Sequence, residues 1–289
     1  MNLGQFGMDT ITLAGPLEAK LEAVREAGFT QIMLNANDIA GHPAGAETAA
    51  DAVRASGLRV TGFQVLRDFE GLSGHLHAYK IDIAKAMLDM CHALGASLLL
   101  VCSSTSAHGT GERAALARDL RKLATLAVPY GIRIAYEALS WGRHVSEYMQ
   151  AWEVVTEADR ANLGLAIDSF HILASGSGKE QVQEMAPDKI FLVQLADFMW
   201  QEIRSREERI NTARHFRVFP GEGVHGAEVA QLVRSLDGLG YRGDYSFEVF
   251  NDDYTQLPPA VVTERARRSV RWLSDQVPRR SLPLRAMRQ

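Results

Sequence analysis

Only two of the 289 residues are cysteine, Cys91 and Cys102. So few thiols exclude a disulfide framework and suit a reducing compartment, and each reads as a buried, inert side chain. No apolar run approaches the roughly 20 residues that cross a bilayer. The start, MNLGQFGMDTITLAGPLEAK, lacks the basic end and apolar centre of a secretory leader. The chain is therefore expected in the cytoplasm, with no membrane partner. An excess of one charge is missing as well: 31 basic against 35 acidic residues leave −4, spread without long blocks. No cationic stripe offers itself to nucleic acid, so the expected partner is a small molecule. A homo-oligomer is compatible with this composition.

What is present is apolar surface in quantity. Hydrophobic residues make up 46% and charged residues 23%, a balance that argues for a large core and against disorder. Short apolar runs alternate with segments of helical period along the chain. Strands are expected at 7–13, 31–35, 59–65, 97–103, 132–138, 163–169, 190–196 and 245–250. Between them PLEAKLEAVREAG (16–28) puts Leu17, Leu21 and Val24 on one face and ends on Gly28. The segments 80–95, 112–131 and 226–240 behave alike. Strand–helix units with near-continuous apolar strands predict a closed parallel (β/α)8 TIM barrel with helices outside. An open doubly wound sheet is the alternative, but no GxGxxG follows the first strand. The barrel is expected to occupy residues 1–277 as one domain, with 278–289 as a tail or linker. The long connection 197–244 is expected to carry a helix of its own, within 201–217, above the C-terminal mouth where such barrels place their active sites.

Four late strands close on a polar residue: Glu137 in IAYEALSWG, Asp168 in LAIDSFH, Gln194 in FLVQLAD and Glu248 in YSFEVFND. Any one of them also reads as a solvated rim residue. In a barrel all four converge on one mouth, and three carboxylates with an amide oxygen suit a hard divalent ion such as Mg²⁺ or Mn²⁺ better than zinc. Without a cation, carboxylates this close would repel until one protonated. His171 follows Asp168 by three residues, where its ring reaches a substrate at the mouth and can exchange a proton. Arg67 in RDFEG and Arg214, His215 and Arg217 in RHFRVFPGEG offer forks for a carboxylate or phosphate, with surface ion pairing as the plainer reading, above all for Arg214.

These residues, in this order, resemble the xylose-isomerase-like barrels. FQVLRDFEG (63–71), YEALSWGRHV (136–145), DSFHIL (168–173), VQLAD (193–197) with RHFRVFPGEG, and FEVFND (247–252) narrow the likeness to bacterial 3-dehydroshikimate dehydratases, from the first strand to about residue 275. The resemblance implies a metal (Mg²⁺, Mn²⁺ or Co²⁺) held by Glu137, Asp168, Gln194 and Glu248, with Gln194 standing where many sugar isomerases have histidine. It also implies that Arg67, His171 and Arg217 face the substrate, with Arg67 and Arg217 available to fix its carboxylate. The catalytic proton is assigned to His171, with Glu137 or Glu248 as the alternative base. One departure is NAND (35–38), which lacks the glutamate common after the second strand in the wider superfamily. Some members carry a second domain after the barrel. A sugar or keto-acid isomerase or epimerase is the main rival, and the arginines suit a carboxylate substrate better than a neutral sugar. An endonuclease lacks its basic surface here, and a barrel that binds without turnover is the non-enzymatic alternative.

Overall fold

In a computed structural model describing residues 3–277 the chain runs β1 (Phe6–Asp9), α1 (Leu17–Glu26), β2 (Gln31–Asn35), α2 (Ala36–Ala40), α3 (Ala46–Ser56), β3 (Arg59–Arg67), α4 (Gly74–Ala93), β4 (Leu98–Cys102), α5 (Arg113–Ala127), β5 (Arg133–Glu137), α6 (Tyr148–Ala158), β6 (Leu163–Asp168), α7 (Ser169–Ser175), β7 (Ile190–Leu195), β8 (Asp197–Phe198), α8 (Arg206–His215), β9 (Arg217–Val218), α9 (Gly226–Leu239), β10 (Asp244–Phe247) and α10 (Pro259–Gln276). Eight strands close in the order β1-β10-β7-β6-β5-β4-β3-β2, each neighbouring pair parallel. The expected barrel is the observed one. The expected tail, 278–289, lies outside the described residues.

The apolar strands are continuous rather than alternating because both of their faces are buried. Alternate residues still divide between two cores. Met33, Leu98, Leu100, Ala135, Ala166 and Leu192 pack inside the barrel. Their neighbours Leu34, Leu99, Val101, Ile134, Tyr136, Leu165 and Val193 pack outward against the helices. This period of two decides where the strand ends point. Counting on from the inner residues, Cys102, Glu137, Asp168 and Gln194 all fall on the inner face. On β1, Phe6 and Met8 belong to the outer core, so Asp9 is inward as well.

One strand ends earlier than expected. The alternation in GMDTITL predicts β-structure through Leu13, but β1 stops at Asp9 and Thr10–Thr12 form a 3-10 turn. The threonine hydroxyls bond to neighbouring strands: Thr12 Oγ1 donates to the Phe247 carbonyl at 3.1 Å and accepts from Val249 N at 2.9 Å, while Thr10 Oγ1 accepts from Asn35 N at 2.9 Å. Hydroxyl-to-backbone bonds of this kind replace a strand ladder.

The long connection carries its expected helix, α8. Its sequence is polar all round, so a capping box rather than burial holds its first turn: Ser205 Oγ accepts from Glu208 N at 3.1 Å and Glu208 Oε2 accepts from Ser205 N at 3.0 Å. β8 and β9 then pair antiparallel and clamp the insertion to the barrel. That pairing delivers Arg217 to the mouth. Among the described residues no helix is long and apolar enough to cross a membrane.

Candidate active site

A cavity of about 250 Å³ opens at the C-terminal mouth, with Glu137, His171, Arg217 and Glu248 among its lining residues and Arg67 and Arg214 at its edge. The ligand atoms of Glu137, Asp168 and His171 lie within 4.8 Å of one another. Glu248 is joined to Asp168 through one nitrogen of a buried arginine. Arg217 Nη1 donates to Asp168 Oδ2 at 2.7 Å and to Glu248 Oε2 at 3.1 Å, and its Nε donates to the Ala213 carbonyl at 2.9 Å. The guanidinium also lies over the Phe170 ring at 4.4 Å. Only 2% of Arg217 is exposed. Burial alone would pull its pKa down, but Asp168, Glu248 and Glu137 together outweigh that and raise it.

Sequence reasoning gave Arg217 a substrate-facing role. It does line the cavity, yet Nη1 and Nε are committed to the protein and Nη2 is the edge that remains. Arg67 and Arg214 are exposed and, among the described residues, neither forms an ion pair. Arg214, read as a surface pairing residue, is thus an unpaired cation beside the cavity. His215 turns away to an ion pair with Asp252 at 3.0 Å.

His171 is fixed in one tautomer. The backbone N–H of Ser140 donates to its Nδ1 at 3.1 Å, so that nitrogen carries the lone pair and a neutral ring bears its proton on Nε2. Nε2 lies 3.6 Å from Asp168 Oδ2 and 4.0 Å from Glu137 Oε1. Burial between Trp141, at 5.0 Å, and Phe170, at 5.3 Å, pushes its pKa down to about 3 against a partial opposing pull from Asp168. A neutral ring with Nε2–H is a hydrogen-bond donor rather than a metal ligand.

The carboxylates sit in the reverse condition. Burial, then Glu248 and Asp168, hold Glu137 well above the usual range, and burial first, with Arg217 opposing, puts Glu248 at about 7. Asp9, fully buried, is raised by burial and by Glu248. Glu137 Oε2 accepts the Cys102 thiol at 2.9 Å, and burial followed by Glu137 drives that thiol well above its ordinary pKa. Glu137 Oε1, Gln194 Oε1 and Asp9 Oδ1 are buried and have no hydrogen-bond partner. Several clustered carboxylates, one buried arginine and three orphaned inner oxygens fit a divalent cation by charge and by donor type. Sequence reasoning missed Asp9, Ser140 and the role of Cys102. The inner-face count would have found Asp9 and Cys102.

Another buried carboxylate, Glu70, lies outside this cluster. Glu70 Oε1 accepts from Ser104 N at 2.6 Å and from the Tyr136 hydroxyl at 2.9 Å, while Oε2 has no partner. Burial raises its pKa from 4.5 to about 7. A carboxyl that binds its proton more tightly when folded contributes stability that is full below 4.5 and lost as pH rises through 7. The loss is about 3 kcal/mol at most. Urea unfolding of Glu70→Gln should show a flatter decline across that window than the wild type, and an unchanged slope would remove Glu70 as its source.

Comparison with known proteins agrees with the barrel fold. Residues 21–276 match the xylose isomerase-like TIM barrel family. The chain is 38% identical over 271 residues to a 3-dehydroshikimate dehydratase of Pseudomonas aeruginosa, covering 94% of this chain and 42% of that one. Against a 3-dehydroshikimate dehydratase of Neurospora crassa the identity is 26%, covering 89% and 88%. The chain therefore spans less than half the length of the Pseudomonas relative. Among solved structures, a xylose isomerase-like TIM barrel/4-hydroxyphenylpyruvate dioxygenase fusion protein superposes with a TM-score of 0.88 at 36% identity, over 95% of this chain and 43% of that one. The IOLI protein with a binding zinc atom superposes at 0.81 with 22% identity, over 94% and 99%, a likeness of fold. By sequence match and by barrel architecture, this chain belongs to the xylose isomerase-like TIM barrel family.

Proposed function

We propose that the chain is a metal-dependent 3-dehydroshikimate dehydratase, a carbon–oxygen lyase that forms protocatechuate. The observation that carries this reading is the pairing, within one cavity, of an inward cluster of carboxylates with the unpaired guanidinium of Arg67 at the rim. Such a site takes a small molecule with oxygens at one end and a carboxylate at the other. A neutral sugar leaves the rim cations unused, which disfavours a sugar isomerase or epimerase.

The carbonyl of 3-dehydroshikimate acidifies the neighbouring carbon–hydrogen bond, and the carbon beyond it bears a hydroxyl. Loss of the proton gives an enolate, and expulsion of the hydroxyl with one proton, as water, leaves a ring that tautomerises to the aromatic product. A divalent ion held by Glu137, Asp168, Gln194 and Glu248 would supply Lewis-acid stabilisation of the enolate oxygen. Arg67, with Arg214 and the free edge of Arg217, would fix the carboxylate. The proton falls to a carboxylate lining the cavity, Glu248 or Glu137, because the Ser140 N–H occupies the lone pair of His171. The same carboxyl can return it to the departing hydroxyl. His171 contributes its Nε2–H as a neutral donor to a substrate oxygen, a role a depressed pKa favours.

The test is ultraviolet detection of protocatechuate from 3-dehydroshikimate by chelator-treated protein, before and after Mg²⁺, Mn²⁺ or Co²⁺ is restored. Metal-dependent product is expected. Absence of product with every metal would sink the dehydratase and move the reading to an isomerase or epimerase.

A further inference from the structure

Asp9 stands outside the four-residue set, yet its carboxylate is fully buried beside Gln194. No arginine, lysine or histidine pairs with it among the described residues. A buried, unpaired acid is costly, and a neutral side chain would fill the same space without the penalty. What Asp9 does hold is Gln194: the Gln194 Nε2 amide donates to Asp9 Oδ2 at 3.0 Å, while Asp9 Oδ1 is buried without a partner. β7 lies between β10 and β6, with Gln194 in register with Ser246 on one side and Asp168 on the other. Asp9 reaches it from β1, beyond β10. A planar amide held by its nitrogen on that side presents its oxygen on the opposite edge, and Gln194 Oε1 is indeed buried without a partner.

The orientation is not self-evident. Asp168 and Glu137 would attract an amide NH₂ turned toward them, and a flipped Gln194 would satisfy that attraction while replacing a metal-binding oxygen by a donor that binds no cation. We propose that Asp9 is the positioning residue of the metal-binding set, holding Gln194 with its oxygen toward Glu137 and Asp168 and so preventing the flip. This rests on the four-residue set proposed above. It assigns Asp9 an acceptor's role and no direct contact with the ion.

The test is the affinity of the chelator-treated protein for Mn²⁺ alone, by titration calorimetry, with circular dichroism melts to confirm folding. Removing a partner that orients a metal ligand typically weakens binding by about 10–100-fold. Asp9→Ala should fall in that range. Asp9→Asn, which can still accept from Gln194, should stay within about threefold of the wild type. In a Gln194→Glu background either inner oxygen serves as ligand and nothing needs orienting, so adding Asp9→Ala should cost little further. Equal losses from Asp9→Ala in both backgrounds would overturn the proposal, as would wild-type affinity in Asp9→Ala or a tenfold loss in folded Asp9→Asn. A wild type that binds no Mn²⁺ would overturn the metal set as well, and that outcome is distinct from the others.

Discussion

Replacing Glu248 by glutamine is expected to lower kcat for protocatechuate formation by about 10²–10⁴-fold, the range for loss of a general base, with a much smaller change in KM. Glutamine keeps the volume and an acceptor for Arg217 Nη1, and the backbone carbonyl of residue 248 still accepts from the same nitrogen at 3.2 Å. The fold should therefore survive while the proton acceptor is lost. An amide is also a weaker metal ligand than a carboxylate, so the assay must be run at saturating Mn²⁺ with the bound metal measured. Arg67→Met gives the opposite pattern: an anchor acting only in ground-state binding raises KM and leaves kcat near its starting value. A Glu248→Gln variant with full metal and kcat within tenfold of wild type would remove Glu248 as the base and leave the task to Glu137.

The sequence carried most of the barrel because its strands are buried on both faces and read as bare apolar runs. The proposed metal-binding set was visible for a related reason: each of its residues interrupts such a run at its end. Asp9 does the same in FGMD, but the threonines that follow alternate with apolar residues and extend the apparent strand past it. A residue in mid-strand draws no attention as a strand end. Cys102 hid behind its own chemistry, since a thiol in an apolar run looks like filler until Glu137 is seen 2.9 Å away. Arg217 was misjudged in degree. A charge-rich, hydrophilic segment reads as exposed, and nothing local tells that the β8–β9 pairing pulls one of its arginines under Phe170. That fact belongs to tertiary structure alone.

The buried arginine makes the second large effect. Arg217→Met should destabilise the chelator-treated protein by about 3–5 kcal/mol, as expected when one partner of a buried ion pair is removed and its carboxylates are stranded. Methionine fills the apolar space under the Phe170 ring but cannot answer Asp168 or Glu248. The effect should depend on pH in a definite direction. Burial already puts Glu248 at about 7 with Arg217 pulling it down, so without the arginine its folded pKa moves higher still. A carboxyl raised in the folded state costs nothing below its unfolded value and progressively more as pH rises above it. The difference between variant and wild type should therefore be largest near pH 8 and shrink toward pH 5, measured by urea unfolding at each pH. A divalent ion replaces the lost positive charge and binds only the folded state. Saturating Mn²⁺ should thus narrow the gap at pH 8, whereas Na⁺ at equal ionic strength should not. If the variant matches the wild type in chelator at pH 8, Arg217 is not the counter-charge of this cluster. Its arginine would then be explained by the substrate edge at Nη2, and the steady-state signature would be a raised KM.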